Sequence, residues 1–332
     1  MRTLYFLVPG TGGRFACGGL FVELKTAELA KHICPAEIVT YQQREPNTLF
    51  LDDVLKRPNL EDSIFVISWG FHVPKLAKRL KGHHVVYHAH SGGYGFKLPS
   101  DIPIIAVSRN TMGYWGQISP TSLIYYLPNP ISERFTYRHL ERDIDVLVQV
   151  RKSSEYLLYD LVPALQQTCK VVVLDRFVED LGELFNRTKV YLYDSAEYWA
   201  QQRVSEGFGM PPLEAMACGC HVFSSVNSAL ADYLDPGFNC QKISCYAREW
   251  DLARILKAIN TPISEGLSEA ELRPFQQETT LKRFAVILAE LNEFFDQKPK
   301  YNRPIPGLTP SRMTRLFFKR IGTKLAQKLS KS

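Results

Sequence analysis

Two glutamates eight positions apart, Glu206 and Glu214, have the types and spacing that point most directly to chemistry. They stand at the two ends of a turn rich in glycine and proline, which leads into a predicted helix over residues 212–217. A helix start offers unpaired N–H groups and a positive dipole end, and both suit a diphosphate. Glu214 could accept hydrogen bonds from a ribose diol, and Glu206 from sugar hydroxyls. Composition alone also allows a plain helix entry with a solvated glutamate at each end.

The turn between the glutamates is expected to lie against the bound molecule. Gly207 and Gly209 have no side chain, so the backbone there can approach a ligand closely. We therefore predict a binding turn made of Gly207, Phe208, Gly209 and Met210.

Basic and imidazole side chains at predicted strand ends are further candidates. Arg151 and Lys152 follow the predicted strand 146–150, and arginine suits bidentate phosphate contact, although a solubilising pair at a strand end has the same appearance. His90 follows the predicted strand 85–88, and open α/β sheets bind ligands at such strand ends. The alternatives for His90 are a structural histidine or a metal pair with His88.

A metal site is not expected. His88 and His90 have no carboxylate near them in the sequence, which makes a poor metal signature. Asp143 and Asp145 have the spacing of a DxD metal motif, but they precede a strand at a predicted domain boundary, and we interpret them as structural. The glycines from Gly10 onward do not form a dinucleotide fingerprint, because Phe15 stands where a glycine or alanine is needed.

Short apolar runs alternate with helical stretches along the chain, which predicts parallel sheets flanked by helices. In the first half the predicted strands are 4–8, 37–41, 64–68, 85–88, 104–107 and 123–126, with a helix over 20–31. In the second half they are 146–150, 171–174, 190–193 and 221–224, with a helix over 155–167 and a long loop over 195–211.

The run Pro128-Asn129-Pro130 and the charged stretch behind it interrupt this alternation. We therefore predict a first domain over 1–142, a second domain over 143–305 and a tail over 306–332.

Charge is concentrated in the tail. Of the 40 basic and 34 acidic residues, seven basic and no acidic ones lie in 308–332, which leaves a nearly neutral body. This distribution argues against wholesale nucleic-acid binding. The tail also has apolar residues at spacings of three and four, namely Met313, Leu316, Phe317, Ile321, Leu325 and Leu329. A basic amphipathic helix of this kind can bind an anionic membrane surface or pack across the two domains.

Seven cysteines without paired CxxC motifs indicate reduced thiols, and no apolar run has the length of a signal peptide core or a membrane span. We therefore expect a cytoplasmic protein that binds, at most, peripherally to the membrane.

The ordered string EGFGMPPLEAMACGC over 206–220 resembles the E-x7-E signature of retaining family-4 glycosyltransferases, with His221 where proline is common. The resemblance implies the GT-B fold, in which two Rossmann-like, doubly wound α/β domains face each other across a cleft. It makes 1–142 the acceptor-side domain and 143–305 the donor domain. It implies transfer of a sugar from a nucleoside diphosphate to a hydroxyl of a glycan, a lipid or another acceptor. Anomeric configuration would be retained, and neither a metal nor a further cofactor would be needed.

The same resemblance implies roles for single residues. Arg151 would grip the donor diphosphate, with Lys152 beside it in place of the usual lysine several positions later. Gly18 and Gly19 would face the donor phosphate and the acceptor, and His90 would lie near the reacting sugar. Ser108-Arg109 and Pro128-Asn129-Pro130 also match landmarks of the family.

Three other functions remain open at this point. A nucleotide-sugar epimerase of the same fold would convert the donor without an acceptor. A glycan phosphorylase would consume free phosphate, but no lysine site for pyridoxal phosphate is evident in the sequence. A non-catalytic module would bind the sugar nucleotide without transferring the sugar.

Overall fold

The computed structural model describes residues 1–176, 178–262, 266–301 and 305–329. Side chains at 325, 328 and 329 lie outside this description, as does the predicted tail cation at position 331. Within these ranges the chain forms two β-sheets, each flanked by helices.

The first sheet has seven strands in the order β3-β2-β1-β4-β5-β6-β7, and all its pairings are parallel. Its strands are β1 (Thr3–Val8), β2 (Ala36–Thr40), β3 (Leu49–Phe50), β4 (Ser63–Ile67), β5 (His84–Ala89), β6 (Ile104–Ala106) and β7 (Ile124–Tyr126). Its helices are α1 (Gly18–Ala30), α2 (Leu51–Val54), α3 (Val73–Arg79) and α4 (Arg109–Ile118). The central strands are nearly continuous apolar runs because helices cover both faces of the sheet.

The second sheet has five parallel strands in the order β12-β11-β10-β8-β9. They are β8 (Ile144–Gln149), β9 (Val171–Leu174), β10 (Thr188–Tyr193), β11 (His221–Ser224) and β12 (Gln241–Lys242). The helices around it are α5 (Val162–Gln166), which continues a π-helical segment (Leu157–Leu161), α6 (Leu181–Asn186), α7 (Ala196–Gln202), α8 (Met210–Ala217), α9 (Arg248–Ile259) and α10 (Glu269–Leu272). We call the two sheets with their helices the first and the second domain.

The chain then returns to the first domain through α11 (Gln277–Gln297). Phe284, Leu288 and Leu291 on α11 are buried against Leu4 and Phe6 of β1. The predicted donor segment 143–305 thus ends in a helix that packs on the first sheet, and the predicted domain limits at 142 and 305 stay predictions.

The last helix, α12 (Pro310–Leu329), carries exposed apolar side chains, among them Met313, Leu316, Phe317, Phe318 and Ile321. The hydrophobic cores of the described residues contain none of its side chains. Across the described ranges, every helix is too short or too polar to cross a membrane.

Every predicted strand is present within two residues of its expected limits. The predicted loop over 195–211 is wrong in its first half, because α7 (Ala196–Gln202) forms there. Its sequence AEYWAQQ contains strong helix formers and a glutamate in the first turn, and both favour a helix. The strands β3 and β12 were not predicted, since two residues are too few to show a periodicity.

Candidate active site between the two domains

Glu206 is a buried carboxylate held by three donors. Its Oε2 accepts hydrogen bonds from the Tyr193 hydroxyl at 2.7 Å and from Trp199 Nε1 at 2.6 Å. Its Oε1 accepts one from Lys152 Nζ at 3.3 Å. A carboxylate has about four acceptor positions, so Oε1 can still take one hydroxyl donor. The side chain is therefore fixed in place and keeps capacity for a ligand.

Arg151 and Lys152, which follow β8, point in different directions. Lys152 has a backbone φ of +70°, in the left-handed region, and its ammonium lies 4.4 Å from the centre of the Trp199 ring and pairs with Glu206. Arg151 is exposed and forms neither a hydrogen bond nor an ion pair with any residue in the described ranges. Of these two side chains, that of Arg151 is therefore the one available to bind an anion.

The turn after Glu206 is packed against the first domain. A Cβ atom at Gly207 would lie 1.5 Å from the backbone oxygen of His90, so only glycine fits there. Gly209 has a φ of +79°, also left-handed, and is the N-cap of α8. Phe208 is buried in the core of the second domain, and Met210 packs at its edge, so neither side chain is displayed to the cleft.

Glu214 lies in the second turn of α8. Burial raises its pKa to about 7, against the opposing influence of Arg134 and of Lys25 from α1. The ammonium of Lys25 also donates to the Pro130 carbonyl at 3.3 Å, so this cation joins the first domain to the linker. Glu214 is thus associated with cations across the cleft rather than with Glu206.

The helix start expected to bind phosphate is poorer in donors than its position suggests. Pro211 and Pro212 lie in the first turn of α8 and have no N–H group. Among the first four residues of α8, Met210 and Leu213 alone have a backbone N–H group. The start of α1 is better supplied: Gly18 and Gly19 are exposed, a Cβ at either would meet nothing within 4 Å, and the N-cap Cys17 makes no capping hydrogen bond. An anion can reach these amides directly.

His90 belongs to a three-residue cluster. Its Nε2 lies 2.8 Å from Oε2 of Glu23, and Nδ1 of His88 lies 2.6 Å from the same oxygen. Both histidines end β5, and Glu23 comes from α1, five positions after Gly18. The prediction that these two histidines have no carboxylate partner is therefore wrong. Glu23, which is distant in sequence, lies between them.

Further contacts join the domains around this point. Ser205 donates its backbone N–H to the Gly92 carbonyl at 3.0 Å, and Ser91 Oγ donates to the Ser205 carbonyl at 2.6 Å. Asp232 of the second domain accepts the backbone N–H groups of Arg109 and, at 3.2 Å, Asn110, so it caps α4 of the first domain. These hydrogen bonds join the two domains.

Asp143 and Asp145 are engaged in ion pairs. Asp143 pairs with Lys170 and Arg187, each at 2.8 Å, and Asp145 pairs with Lys189 at 2.7 Å. The two cations hold the pKa of Asp143 far below its usual range. This arrangement agrees with the structural interpretation of these residues.

Several residues of the site were not predicted. Tyr193 ends β10, and residues at the carboxyl end of a parallel strand are site candidates. Glu23 lies on the buried face of α1 with Leu20 and Ala27, three and four residues away, and a carboxylate on an apolar face requires a partner. Trp199 and Lys25 gave no signal, because their roles depend on how α7 and the two domains pack.

Comparison with known proteins agrees with this architecture. Residues 151–269 match the family model "Glycosyl transferases group 1". A comparison with curated proteins found no match.

Several solved structures share the fold. Anabaena HepE, solved with UDP and glucose, superposes with a TM-score of 0.61 at 14% identity, over 87% of this chain and 100% of that one. Sucrose-phosphate synthase from Thermosynechococcus elongatus gives 0.61 at 13% identity, over 88% and 100%. A glycosyltransferase from Rickettsia africae gives 0.60 at 12% identity, over 88% and 99%. Residues 151–269 thus match the group 1 glycosyltransferases, and the two facing α/β domains of the chain have the GT-B fold of these solved structures.

Proposed function

We propose that this protein is a retaining glycosyltransferase that moves a sugar from a nucleoside diphosphate to an acceptor hydroxyl. The observation that carries the proposal is the contact of Gly207 with the His90 carbonyl, which brings the buried Glu206 of the second domain next to His90 of the first. Such a junction between facing domains is where a donor held by one domain can meet an acceptor held by the other. The segment 143–305 would bind the donor, and 1–142 the acceptor.

Each predicted residue then has a physical role. The free acceptor position on Glu206 Oε1 would take a sugar hydroxyl, and Glu214 would take the ribose diol. Arg151 would grip the diphosphate bidentately, and the open amides of Gly18 and Gly19 would approach it from the first domain. Lys152 would act through Glu206, to which it is already paired.

Transfer needs no metal in this scheme. The charge that develops on the leaving diphosphate would be stabilised by Arg151 and by backbone amides of α1. The bond between the anomeric carbon and the phosphate oxygen breaks, and a bond to the acceptor oxygen forms on the same face of the sugar. The proton of the acceptor hydroxyl passes to the leaving phosphate oxygen, so no side chain of the protein has to act as a base.

The acceptor would be a hydroxyl of a glycan, a lipid or another molecule. The helix α12 would bind the surface of an anionic membrane. Of the seven basic residues in 308–332, six lie in this helix, which has no acidic residue and exposes the aromatic side chains of Phe317 and Phe318. Cations around an apolar stripe complement anionic headgroups and acyl chains.

UDP and UDP-glucose are the first ligands to test, because the similar fold of HepE was solved with them. A ligand present at about 100 times its Kd stabilises a protein by about 2.7 kcal/mol. A thermal shift screen of nucleoside diphosphates therefore identifies the nucleobase that the protein prefers. The matching sugar nucleotide is then incubated with acceptors, and the anomeric configuration of the product is read by proton NMR. Retained configuration supports the proposal. An inverted product, or conversion of the donor sugar to its epimer without an acceptor, contradicts it.

A further inference from the structure

The cluster of Glu23, His88 and His90 is the most unusual polar group in the described part of the protein. Glu23 is 1% exposed, His88 2% and His90 16%. The rings of the two histidines lie 4.4 Å apart, and both contact one carboxylate oxygen. A buried charged cluster is weak support for a fold, since apolar side chains of similar volume usually stabilise as much.

Two buried atoms of the cluster have no partner among the described residues, namely Glu23 Oε1 and His88 Nε2. His88 also lines a largely apolar cavity beneath α11, whose wall includes Phe284 and Leu288. Unpaired buried polar atoms are costly and are retained mostly where a site needs them. The cluster is therefore better explained by function than by packing.

The distances favour hydrogen bonds over a shared metal ion. Two ligand atoms on one tetrahedral zinc ion are separated by roughly 3.3 Å, because each lies about 2.0–2.1 Å from the metal. The two Glu23–histidine distances are 2.6 and 2.8 Å, which are those of charge-assisted hydrogen bonds. Each histidine nitrogen facing Glu23 is thus a donor.

The protonation states follow from this geometry. Despite burial, the two histidines lower the pKa of Glu23 to about 2, so it is a carboxylate that only accepts hydrogen bonds. Burial lowers the pKa of His90, with His88 adding to this and Glu23 opposing it, so the ring is neutral at pH 7. A neutral ring that donates through Nε2 has an unprotonated Nδ1.

We propose that Glu23 is a positioning residue, which locks His90 in the Nε2–H tautomer so that Nδ1 can accept a hydrogen bond from a hydroxyl of the bound sugar. His88 anchors the same carboxylate from the other side. This inference rests on the proposed function, because it assumes that His90 meets the sugar. Glu23 lies on the same helix as Gly18 and Gly19. Helix α1 would therefore both present open amides to an anion and orient His90.

The tautomer is measured directly on the wild-type protein by ¹⁵N NMR of the His90 ring, between pH 6 and 8 and without ligand. We expect a protonated Nε2 and an unprotonated Nδ1 throughout. A ring protonated at Nδ1, or an equal mixture of tautomers, overturns the proposal. This result is independent of any activity, so it stands even if no sugar nucleotide is turned over and the proposed function fails.

Kinetics then test whether Glu23 acts through His90. Glu23→Gln keeps the shape but removes the charge, and we expect kcat to fall at least about 10-fold, the low end for loss of an orienting hydrogen bond, while the donor KM changes little. In a His90→Ala background, Glu23→Gln should cause no further loss. Glu28→Gln, an exposed glutamate on the same helix, is the matched control and should have wild-type activity. Additive losses would overturn the positioning role.

A zinc titration tests the rival explanation. Wild-type protein should bind Zn²⁺ no more tightly than Glu23→Gln does. Tight one-to-one binding that is lost in Glu23→Gln would make the cluster a metal site and would overturn the proposal.

Discussion

Gly207 lies so close to the backbone oxygen of His90 that a Cβ atom at position 207 would be only 1.5 Å from it. The two residues belong to different domains, and their contact is possible only when the domains are closed. Gly207→Ala should therefore force the domains apart at the point where the sugar is expected to react.

We expect Gly207→Ala to lower kcat/KM by about 100-fold, the cost of displacing reacting groups by about 1 Å. Nucleoside diphosphate affinity, measured by calorimetry, should fall much less than turnover, because the proposed contacts of Arg151 and Glu214 in the second domain are intact and only those of Gly18 and Gly19 are displaced. Gly116→Ala on α4 is the matched control, since a Cβ there meets nothing within 4 Å. Unchanged turnover in Gly207→Ala would show that closure at this point is not required.

Trp199 is expected to hold the carboxylate of Glu206 in its orientation. Trp199→Phe removes the Nε1 donor at 2.6 Å but keeps an aromatic face for Lys152. Because a hydrogen bond to a charged group contributes about 1.5–3 kcal/mol, the free energy of unfolding should fall by a similar amount and turnover should fall with it. Denaturant unfolding and initial rates measure both, with Tyr198→Phe as the neighbouring control. A fully active and equally stable variant would remove Trp199 from the site.

Glu214 should make donor binding dependent on pH. Its pKa of about 7 lies above the ordinary value of 4.5, so the folded protein binds this proton more tightly than the unfolded chain. Ionisation of Glu214 therefore lowers the free energy of unfolding as pH rises from 4.5 through 7. A bound ribose diol, in contrast, donates hydrogen bonds to the carboxylate and favours its ionised form.

We expect the Kd of the nucleoside diphosphate to be about 10-fold higher at pH 6 than at pH 8, because one unit below its pKa only about one tenth of a carboxyl group is ionised. Glu214→Gln should bind weakly with a smaller dependence on pH. The ligand's own ionisation is common to both proteins, so calorimetry on the pair isolates Glu214. Identical pH profiles would separate Glu214 from the ribose.

The tail should direct membrane binding. Each basic residue near an anionic bilayer contributes about 1 kcal/mol, so removal of 308–332 should abolish sedimentation with anionic vesicles and leave nucleotide affinity intact. High salt should weaken the wild-type association, since screening acts over about 8 Å at physiological ionic strength. A double variant with Leu316→Asp and Phe317→Asp keeps every cation and tests the apolar face. If the truncated protein instead melts earlier and loses donor affinity without any vesicle binding to lose, the tail clamps the domains.

Much of the fold could be predicted because it depends on local patterns. Apolar runs such as β1 and β10 are buried on both faces, and such runs can be recognised in the sequence. Glu206 and Glu214 were identified from one continuous string.

The partners of those residues depend instead on how distant elements pack. Glu23 meets His90 across 67 positions and Lys25 acts electrostatically on Glu214 from the opposite domain, and neither relationship has a signature in the sequence. The turn residue Phe208 was assigned to the ligand, whereas the structure shows its ring in the core, because a turn of this length can face either way.

The account is tested most directly by release of nucleoside diphosphate from a sugar nucleotide in the presence of EDTA, compared between wild-type protein and Arg151→Ala. Arg151 follows β8, is exposed, and has no ion-pair partner among the residues that the structure describes. We expect full wild-type turnover in EDTA and a loss of about 10²-fold or more in Arg151→Ala, the scale of one lost charge-stabilising group. Arg176→Ala, at the end of the neighbouring strand β9, should be as active as wild type. Turnover that stops in EDTA and returns with Mg²⁺ or Mn²⁺, or an Arg151→Ala variant with wild-type activity, would contradict the account.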